Sequence, residues 1–371
     1  MTRPSAPEAV IDMFAGPGGW DLAARQLGLP DPAGFELDPS ACRTRAAAGL
    51  VTVRADVAAF PVRQLRGRVR AVVGSPVCIT FSEAGSRAGL MVTDMLAGGI
   101  RDQFAGCDTR PGRRADMAGL LDEAGFAARH ANSGTRPGRI RAAAASAALV
   151  LEPARWIAAA HPEWIALEQV PSVLPLWRVY AEELRRAGYE TWCGVLNAAD
   201  FGVPQARRRA ILIASRVRRV SCPPPTHYDP RSGTALFGEP WMTMAAAIGF
   251  GAKAVPAPSV TAGGTGSGGA EIFGNRSRQM LARHRDSGNW VKRAEGDPES
   301  VRVTVREAAA LQSFPPGWPW RGTKTRQSEQ VGNAWCPLAA VHVLGMAAGI
   351  EPAGAARRLR KAVYGSGRAA A

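Results

Sequence analysis

Short apolar runs alternate with helical stretches in the first part of the chain. The run Ala9–Phe14 leads into the turn Ala15-Gly16-Pro17-Gly18-Gly19, and Trp20–Leu29 then has a helical pattern. Further strands are predicted at 34–37, 51–53 and 69–73, with an alanine-rich helix at 41–49 between the first two. This βαβαβ order predicts an α/β fold with a parallel, doubly wound sheet.

The pattern changes twice further along the chain. Residues 98–145 are rich in Arg, Gly and Ala, with a loop-like stretch at Thr135–Arg139, and we predict a mobile or partly helical insertion there. After Arg219 a Pro-rich break and a Gly-rich stretch at 256–274 cannot continue the same sheet. The predicted elements between and beyond these regions are helices at 147–160, 179–187, 305–312 and 336–349 and strands at 164–167, 191–196 and 210–214.

Composition is that of a globular protein. Of the 371 residues, 46 % are hydrophobic and 21 % are charged, which is too apolar for a disordered chain. No stretch approaches the ~20 unbroken apolar residues of a membrane span, and no charged-then-apolar leader precedes residue 9, so neither a membrane segment nor a secretory signal is expected. Six cysteines without CxxC spacing and only five histidines disfavour a metal site or a disulfide scaffold and favour a reducing compartment.

The net charge of +15 suggests a polyanionic partner. Only four of the 46 basic residues are Lys, a bias typical of GC-rich genes, so codon usage is the alternative source of part of this charge. Residues 201–219 contain six Arg and no acid, and residues 352–371 contain five basic residues and no acid. We predict that the second of these segments, from residue 356 onward, is a disordered basic tail.

Two acids follow the first glycine turn at predicted strand ends. Glu36 ends the second strand, where a carboxylate can accept hydrogen bonds from ribose hydroxyls. Asp56 follows the third strand, where it can meet an adenine amino group. A glycine turn leaves backbone N–H groups free for a nucleotide-type ligand. A tight structural turn and helix-capping acids are the alternative.

Two further residues lie at predicted strand ends where such sheets bind ligands. Cys78 follows Gly74-Ser75-Pro76-Val77 in a strand-to-loop turn, where a thiolate is a nucleophile, although most cysteines are buried and structural. Glu168 ends the apolar strand 164–167, beside which a carboxyl group is placed to hold or donate a proton. Capping of the next helix is the alternative role for Glu168.

The segment Gln205-Ala206-Arg207-Arg208-Arg209 leads into an apolar strand. Because side chains alternate along a strand, Arg207 and Arg209 are predicted on one face and Arg208 on the other. Two arginines on one face suit contacts with phosphates or bases. A solvated basic edge strand is the alternative.

Together these segments resemble the DNA (cytosine-5) methyltransferase family. The resemblance covers about residues 9–215 and 301–349, and the gap at about 216–300 falls where this family has its target recognition domain. Seven segments match the family's motifs in the family's order: Asp12–Gly19; Glu36 with Asp56; Gly74–Cys78 with Phe81-Ser82 and Ala84-Gly85; Glu168-Gln169-Val170; Gln205-x-Arg207-x-Arg209; Val305–Ala308 with Leu311–Pro315; and Gln330–Ala334.

The resemblance implies a Rossmann-like methyltransferase sheet with a small inserted recognition domain and S-adenosylmethionine as cofactor. It divides the chain into a catalytic domain at 1–215, a recognition domain at 216–300 and a segment at 301–355 that completes the catalytic domain. The implied partner is double-stranded DNA, and we expect a cytoplasmic, bacterial or phage-encoded monomer that uses no metal. The implied site residues are Cys78, Glu168, Arg207 and Arg209 for catalysis; Ser82, Gln205, Arg207 and Arg209 for DNA; and Phe14, Ala15, Gly16, Gly18, Gly19, Glu36, Leu37, Asp56, Val57, Pro76, Asn333 and Ala334 for the cofactor.

Several positions depart from the family's usual pattern. Val77 and Ile79 replace a Pro and a Gln beside the nucleophile, Gln169 replaces an Asn, and Trp335 adds bulk beside the expected cofactor pocket. These departures keep open a catalytically silent DNA-binding homologue and an alkyltransferase that uses a modified cofactor. An RNA substrate, as in the family's tRNA-modifying branch, is a third alternative.

Overall fold

A seven-stranded sheet forms the centre of the structure, a computed structural model that describes residues 8–77, 79–81, 86–126, 135–232, 238–248, 254–261 and 304–365. Its strands occur in the spatial order β3-β2-β1-β4-β5-β8-β6. The strands of the described chain are β1 (Ala9–Met13), β2 (Ala33–Glu36), β3 (Thr52–Arg54), β4 (Val69–Gly74), β5 (Trp164–Gln169), β6 (Glu190–Asn197), β7 (Gln205–Ala206), β8 (Arg208–Ser215), β9 (His227–Tyr228), β10 (Glu239–Pro240) and β11 (Ala257–Pro258).

The order of the strands reverses between β1 and β4. Strand β1 pairs in parallel with both β2 and β4, and β4 pairs in parallel with β5. Strand β8 is antiparallel to β5 and β6. In open α/β sheets, ligands bind in the crevice at the carboxyl ends of the strands where the order reverses. The predicted fold class is confirmed, and the crevice falls between the turn after β1 and the loop after β4.

Helices cover both faces of this sheet. Helices α1, α12 and α13 share one core with Val10 of β1, whereas α4 to α8 share the other with Ile11, as the two-residue period of a strand requires. The described helices are α1 (Gly19–Gln26), α2 (Pro39–Ala47), α3 (Ala88–Met91), α4 (Thr93–Phe104), α5 (Arg110–Glu123), α6 (Arg136–Ala148), α7 (Glu152–Ala160), α8 (Leu174–Arg186), α9 (Met244–Ile248), α10 (Val305–Leu311), α11 (Lys324–Asn333), α12 (Pro337–Ala348) and α13 (Ala353–Tyr364).

The described parts of the predicted insertion at 98–145 are mostly helical, with short turns at 105–109 and 124–125. Leu96 and Ile100 of α4 and Met117 of α5 are fully buried, so these helices belong to the core on the Ile11 side of the sheet. The loop predicted at Thr135–Arg139 is wrong. Thr135 caps α6 by accepting a hydrogen bond from the Gly138 amide, and Pro lies in the first turn, where its missing N–H is no loss.

The predicted disordered tail is also wrong up to residue 365. Helix α13 places Ala355, Leu359 and Val363 on one stripe, and all three are buried. A four-residue spacing puts side chains on one helical face, which here packs against α1 and α12. Arginines on the opposite face had obscured this stripe in the sequence. Residues 366–371 lie outside the described residues.

The predicted recognition segment is described only in part. Between 216 and 261, short strand pairs link β9 with β10 and β11 with β7. Residues 262–300 lie outside the described residues, so the proposed domain boundaries stay predictions. In the described chain, the stretch Lys324–Ala348 is the one that is long and apolar enough to cross a membrane. Of its 18 most apolar consecutive residues, 89 % are buried inside the fold.

We predict that Leu359→Ala lowers the free energy of unfolding by about 2–5 kcal/mol, because it removes a fully buried side chain and leaves a cavity. Chemical denaturation of the full chain measures this change. The control is Lys361→Ala, on the exposed face of the same helix, which is expected to change stability by no more than about 0.5 kcal/mol. Equal, small effects of both substitutions would show that α13 does not pack on the domain.

Candidate active site

The turn between β1 and α1 has an unusual backbone. Phe14, Gly16 and Gly18 all have positive φ, at 58°, 53° and 102°, and a non-glycine residue in this region is strained. A side chain at Gly19 would place its Cβ 2.3 Å from the Trp335 carbonyl oxygen, whereas a Cβ at Gly16 would meet nothing within 4 Å. The turn is therefore packed on one side and open on the other.

A buried ion pair lies against the packed side of this turn. Both guanidinium NH2 groups of Arg45 bind the Asp21 carboxylate, at 2.8 and 2.7 Å, and both side chains have 0 % exposure. Arg45 also donates to the carbonyl oxygens of Ala15 (3.4 Å) and Val51 (2.9 Å) and to Thr52 Oγ1 (3.2 Å). Arg45 thus connects the turn, α1 and β3. Sequence analysis missed this pair, whose only signal was a lone acid in the first turn of α1.

Strand β2 leaves room for this arginine. A Cβ at Gly34 would lie 1.7 Å from Arg45 Nη2 and 2.9 Å from the Ala15 Cβ. Glycine is required at position 34 because the Arg45 guanidinium leaves no space for a Cβ. The backbone φ angle of Gly34 is not positive, so it does not itself require glycine.

Asp12, on β1, is a second acid beside this pair. It is fully buried, and within the described chain neither carboxyl oxygen has a hydrogen-bond partner. Burial, and then the negative charge of Asp21, raise the pKa of Asp12 well above its ordinary value. Both effects favour the protonated form of this carboxyl group.

Glu36, at the end of β2, binds the open side of the glycine turn. Its carboxylate accepts hydrogen bonds from the amides of Gly16, Leu37 and Asp38, each at 2.7 Å. The next side chain, Leu37, is 59 % exposed although it is apolar. The predicted cofactor residues 14–19 and 36–37 are thus brought together at one edge of the crevice.

The loop after β3 carries the second predicted acid. Asp56 is exposed and accepts a hydrogen bond from the Ala58 amide at 2.8 Å, as in a capped turn. Val57 is buried, and its carbonyl accepts from Trp156 Nε1 at 3.1 Å and from Arg155.

Helices α5 and α7 hold this loop through a buried charge. Arg110 donates to the Ala58 carbonyl (3.0 Å) and Arg155 to the Phe60 carbonyl (2.9 Å). Both arginines also bind Glu152, whose side chain is fully buried, at 2.7 and 2.9 Å. Arg110 of the predicted insertion and Arg155 of α7 therefore hold the loop after β3 together, a role that no local sequence pattern indicates.

The predicted nucleophile, Cys78, and Ser82 lie outside the described residues. Their described neighbours are tightly held. Trp20 Nε1 donates to Ser75 Oγ (3.1 Å), and Gln169 Nε2 donates to the Pro76 carbonyl (2.7 Å). Beyond the cysteine, Ser172 Oγ donates to the Phe81 carbonyl (2.8 Å). Residues from α1 and from the segment after β5 therefore fix both flanks of the loop.

Glu168 lies beside this loop and is paired with a motif arginine. Strands β4 and β5 pair Gly74 with Leu167, so Glu168 follows directly at the mouth of the crevice. Its Oε1 is 2.8 Å from Arg209 Nε, with side-chain exposures of 6 % and 12 %. The structure thus brings together Glu168, Arg209 and the flanks of Cys78, and Glu168 does not cap the following helix.

Gln205 and Arg207, both predicted to contact DNA, lie in the interior of the described structure. Gln205 is fully buried; its Nε2 donates to the Leu311 carbonyl (3.0 Å) and its Oε1 accepts from the Val260 amide (2.8 Å). Arg207, 2 % exposed, donates to the carbonyl oxygens of Val260 (2.8 Å) and Gly332 (2.9 Å). The two side chains join Val260, within the predicted recognition segment, to α10 and α11.

The turn after α11 meets the glycine turn. Asn333 is exposed, Ala334 is buried, and the Ala334 carbonyl accepts from Arg207 at 3.0 Å. Trp335, predicted to add bulk beside the cofactor pocket, lies against the glycine turn through its carbonyl oxygen. Its indole is 2 % exposed and packs in the core, 6.3 Å from the ring of Trp20.

The fold and this crevice define a Rossmann-like methyltransferase, and known proteins place it more closely. The C-5 cytosine-specific DNA methylase family matches residues 9–94 and 137–235. The chain belongs to this family. Over 92 % of its length it also has the fold of the methyltransferase EhMeth of Entamoeba histolytica, of which it covers 97 %, with a TM-score of 0.53 and 12 % identity.

Type II methyltransferases are similar in sequence. M1.HphI of Haemophilus parahaemolyticus is 32 % identical over 200 residues, which are 43 % of this chain and 48 % of that protein. M.NaeI of Lentzea aerocolonigenes is 27 % identical over 351 residues, 88 % of this chain and 71 % of that protein. The match with M1.HphI thus spans about half of that relative.

We predict that Gly34→Ala destabilises the protein by about 3–5 kcal/mol, since the new methyl group displaces Arg45 from a buried ion pair. Thermal or urea unfolding reports the change. The control is Gly119→Ala in the middle of α5, where a Cβ meets nothing within 4 Å and alanine is expected to add about 1 kcal/mol of stability. A Gly34→Ala protein as stable as the parent would show that Arg45 is not held in this position.

Proposed function

We propose that this protein transfers a methyl group from S-adenosylmethionine to carbon 5 of cytosine in double-stranded DNA. The observation that carries the proposal is the Glu168–Arg209 pair at 2.8 Å, placed beside the loop that bears Cys78. The glycine turn lies at the neighbouring strand of the same crevice. A nucleophile, a proton-holding acid and a nucleotide-binding turn are the groups that this reaction needs.

The residues around the glycine turn fit the proposed cofactor. Open space at Gly16 leaves room for a ligand over the backbone. The Glu36 carboxylate has one acceptor position left, on Oε2, for a ribose hydroxyl, and the exposed Leu37 side chain offers an apolar surface to adenine. The cofactor supplies an electrophilic methyl group on a positively charged sulfur. Asp56, Pro76 and the turn at 333–334 complete the proposed contacts.

Cytosine C5 is a weak nucleophile until a group adds to C6. In the proposed mechanism the Cys78 thiolate adds to C6, and Glu168 holds a proton at N3 so that the ring accepts the electron pair. The electron pair then available at C5 forms the bond to the methyl group. Loss of the C5 proton to a base and departure of the Cys78 sulfur restore the aromatic ring.

Arg209 and Arg207 have different proposed roles. Arg209 is within reach of Glu168 and partly exposed in the crevice, so we assign it contact with the target base. Arg207 is buried and holds the turn at 332–334 against the recognition segment, which makes it a positioning residue. A cytosine inside a duplex cannot reach this crevice, so the base must leave the helix.

The alternatives to this proposal are a catalytically silent DNA-binding protein and an alkyltransferase that uses a modified cofactor. A silent DNA-binding protein would have no need of a buried carboxylate beside a held cysteine loop. The proposal includes the recognition segment at 216–300 and a monomer in a reducing cytoplasm. The described chain has five free cysteines, which suits that compartment.

We predict that the protein forms a covalent adduct with DNA containing 5-fluorocytosine when S-adenosylmethionine is present, because fluorine at C5 blocks the final release of Cys78. Denaturing gel electrophoresis detects the adduct. Cys78→Ala is expected to abolish it, whereas Cys107→Ala, at an exposed free cysteine elsewhere, is expected to leave it unchanged. Glu168→Gln is expected to reduce methyl transfer by at least about 100-fold.

Pooled random-sequence DNA is the substrate, since the recognised sequence is unknown, and a parallel reaction contains transfer RNA. Absence of an adduct with every nucleic acid would rule out the methyltransferase mechanism and leave the silent binder. An adduct with RNA alone would replace the DNA substrate.

A further inference from the structure

The edge of the main sheet that lies opposite the crevice carries a cluster of arginines. Because β1, β4 and β5 are parallel, their amino ends lie together at this edge. Strand β8 runs the other way, so its carboxyl end, where Ser215 pairs with Trp164 of β5, lies there too. The Glu163 amide donates to the Arg70 carbonyl (2.7 Å), and the Arg216 amide donates to the Glu163 carbonyl (3.0 Å). Arg70 and Arg216 are therefore neighbours across β5.

Two arginine-rich segments without acids meet at this edge. Residues 57–82 contain four Arg, and residues 201–219 contain six Arg. Arg66 and Arg68, just before β4, and Arg216, just after β8, are exposed, and none of the three forms an ion pair within the described chain. We call these three residues the back-edge arginines. Their charges are available to a partner from outside the fold.

Acids at this edge offset only part of the charge. Glu163 is already paired with Arg70, at 3.3 Å. Glu8, before β1, and Glu190, at the start of β6, are exposed. Against these two acids stand the three back-edge arginines and the exposed Arg219. The edge thus keeps a positive excess after its own ion pair is counted.

Helix α13 adds charge at the same end of the domain. Helix α1 begins at the glycine turn, so Gln26, its last residue, lies at the end of the helix that is remote from the crevice. Arg358 donates to the Gln26 carbonyl at 2.6 Å, and Arg357 beside it is exposed. The partial negative charge at the carboxyl end of α1 offsets part of the charge of Arg358. Arg357 keeps its full charge toward solvent.

The back-edge arginines are separate from the crevice. Arg209, paired with Glu168 at the mouth of the crevice, and Arg216 are seven residues apart along β8 and its end. At ~3.4 Å per residue of an extended strand, this is about 24 Å. DNA phosphates at the back edge are therefore distinct from those beside a base held in the crevice.

We propose that the back-edge arginines bind the phosphate backbone of a second segment of double-stranded DNA while the first segment lies in the crevice. Neighbouring strands are ~4.8 Å apart, so β4 and β8 are separated by about 10 Å, over which one DNA strand presents about three phosphates. Such contacts do not depend on sequence. They keep the protein close to further target sites. The inference rests on the DNA substrate of the proposed function.

A two-duplex capture assay with the full chain tests this inference without cofactor or methyl transfer. One short duplex is attached sparsely to beads, and a second, fluorescent duplex is added with the protein. We expect the protein to recruit the fluorescent duplex to the beads. Recruitment per retained protein is expected to fall about 40-fold between 50 and 200 mM salt, the loss that three phosphate contacts produce.

Three combined substitutions, Arg66→Ala, Arg68→Ala and Arg216→Ala, are expected to lower recruitment of the second duplex at least about tenfold. The altered protein is expected to stay on the first duplex, because the crevice is unchanged. Lysine at the same three positions is expected to preserve recruitment, since a phosphate contact of this kind needs the charge. Recovery with lysine distinguishes phosphate binding from damage to the fold.

The control removes the same charge at three exposed arginines on α2, α6 and α8, and it is expected to leave recruitment unchanged: Arg43→Ala, Arg141→Ala and Arg178→Ala. Equal recruitment by the back-edge alanine variant and by this control would overturn the inference. Recruitment of transfer RNA or of anionic phospholipid vesicles in place of duplex DNA would overturn the choice of partner.

The first duplex separates this inference from the proposed function. Retention of the protein on the first duplex without recruitment of the second refutes the back-edge site alone and leaves the DNA substrate intact. Failure of the protein to stay on the first duplex contradicts the proposed DNA substrate together with this inference.

Discussion

The ion pair between Arg45 and Asp21 is the interaction on which the site depends most. Two charges with no exposure are stable only when geometry and further hydrogen bonds compensate for the loss of water. Here the guanidinium satisfies that condition with Asp21, two carbonyl oxygens and Thr52. Each partner belongs to a different element. The pair therefore fixes the glycine turn relative to α1 and β3, and with it the floor of the crevice.

Other buried charged side chains hold loops in the same way. Glu152 holds two arginines that in turn hold the loop after β3, and Arg207 holds the turn at 332–334 against Val260. In both cases the arginine binds backbone carbonyl oxygens of a loop. Loops have few regular hydrogen bonds of their own, so buried charged donors give them a defined shape. Of the six arginines at 201–219, Arg207 is buried and serves the interior, whereas Arg208, Arg216 and Arg219 are exposed and can face a polyanion.

Sheet topology assembles the chemistry from distant parts of the chain. Gln169 reaches the Pro76 carbonyl across a sequence separation of 93 residues, and Gly19 lies against the Trp335 carbonyl. Parallel pairing of β1, β4 and β5 places their carboxyl ends side by side. The turn after β1, the cysteine loop after β4 and Glu168 of β5 consequently face one crevice. The segment from 304 onward closes it from the other side.

The sequence by itself determined the α/β class and the chain order of the seven strands that form the main sheet, and it predicted the candidate site residues. Hydrophobic periods of 2 and 3.6 residues, like the order of the motifs, are visible in the sequence without any knowledge of tertiary contacts. Only the tertiary structure decided that Gln205 and Arg207 point inward, that Trp335 packs in the core, and that the arginine-rich end of the chain forms a helix. These outcomes depend on which surface a side chain meets. Asp12 shows the limit most clearly, because the raised pKa of a motif acid arises from burial and from Asp21, nine residues further along the chain and beside it only in the folded protein.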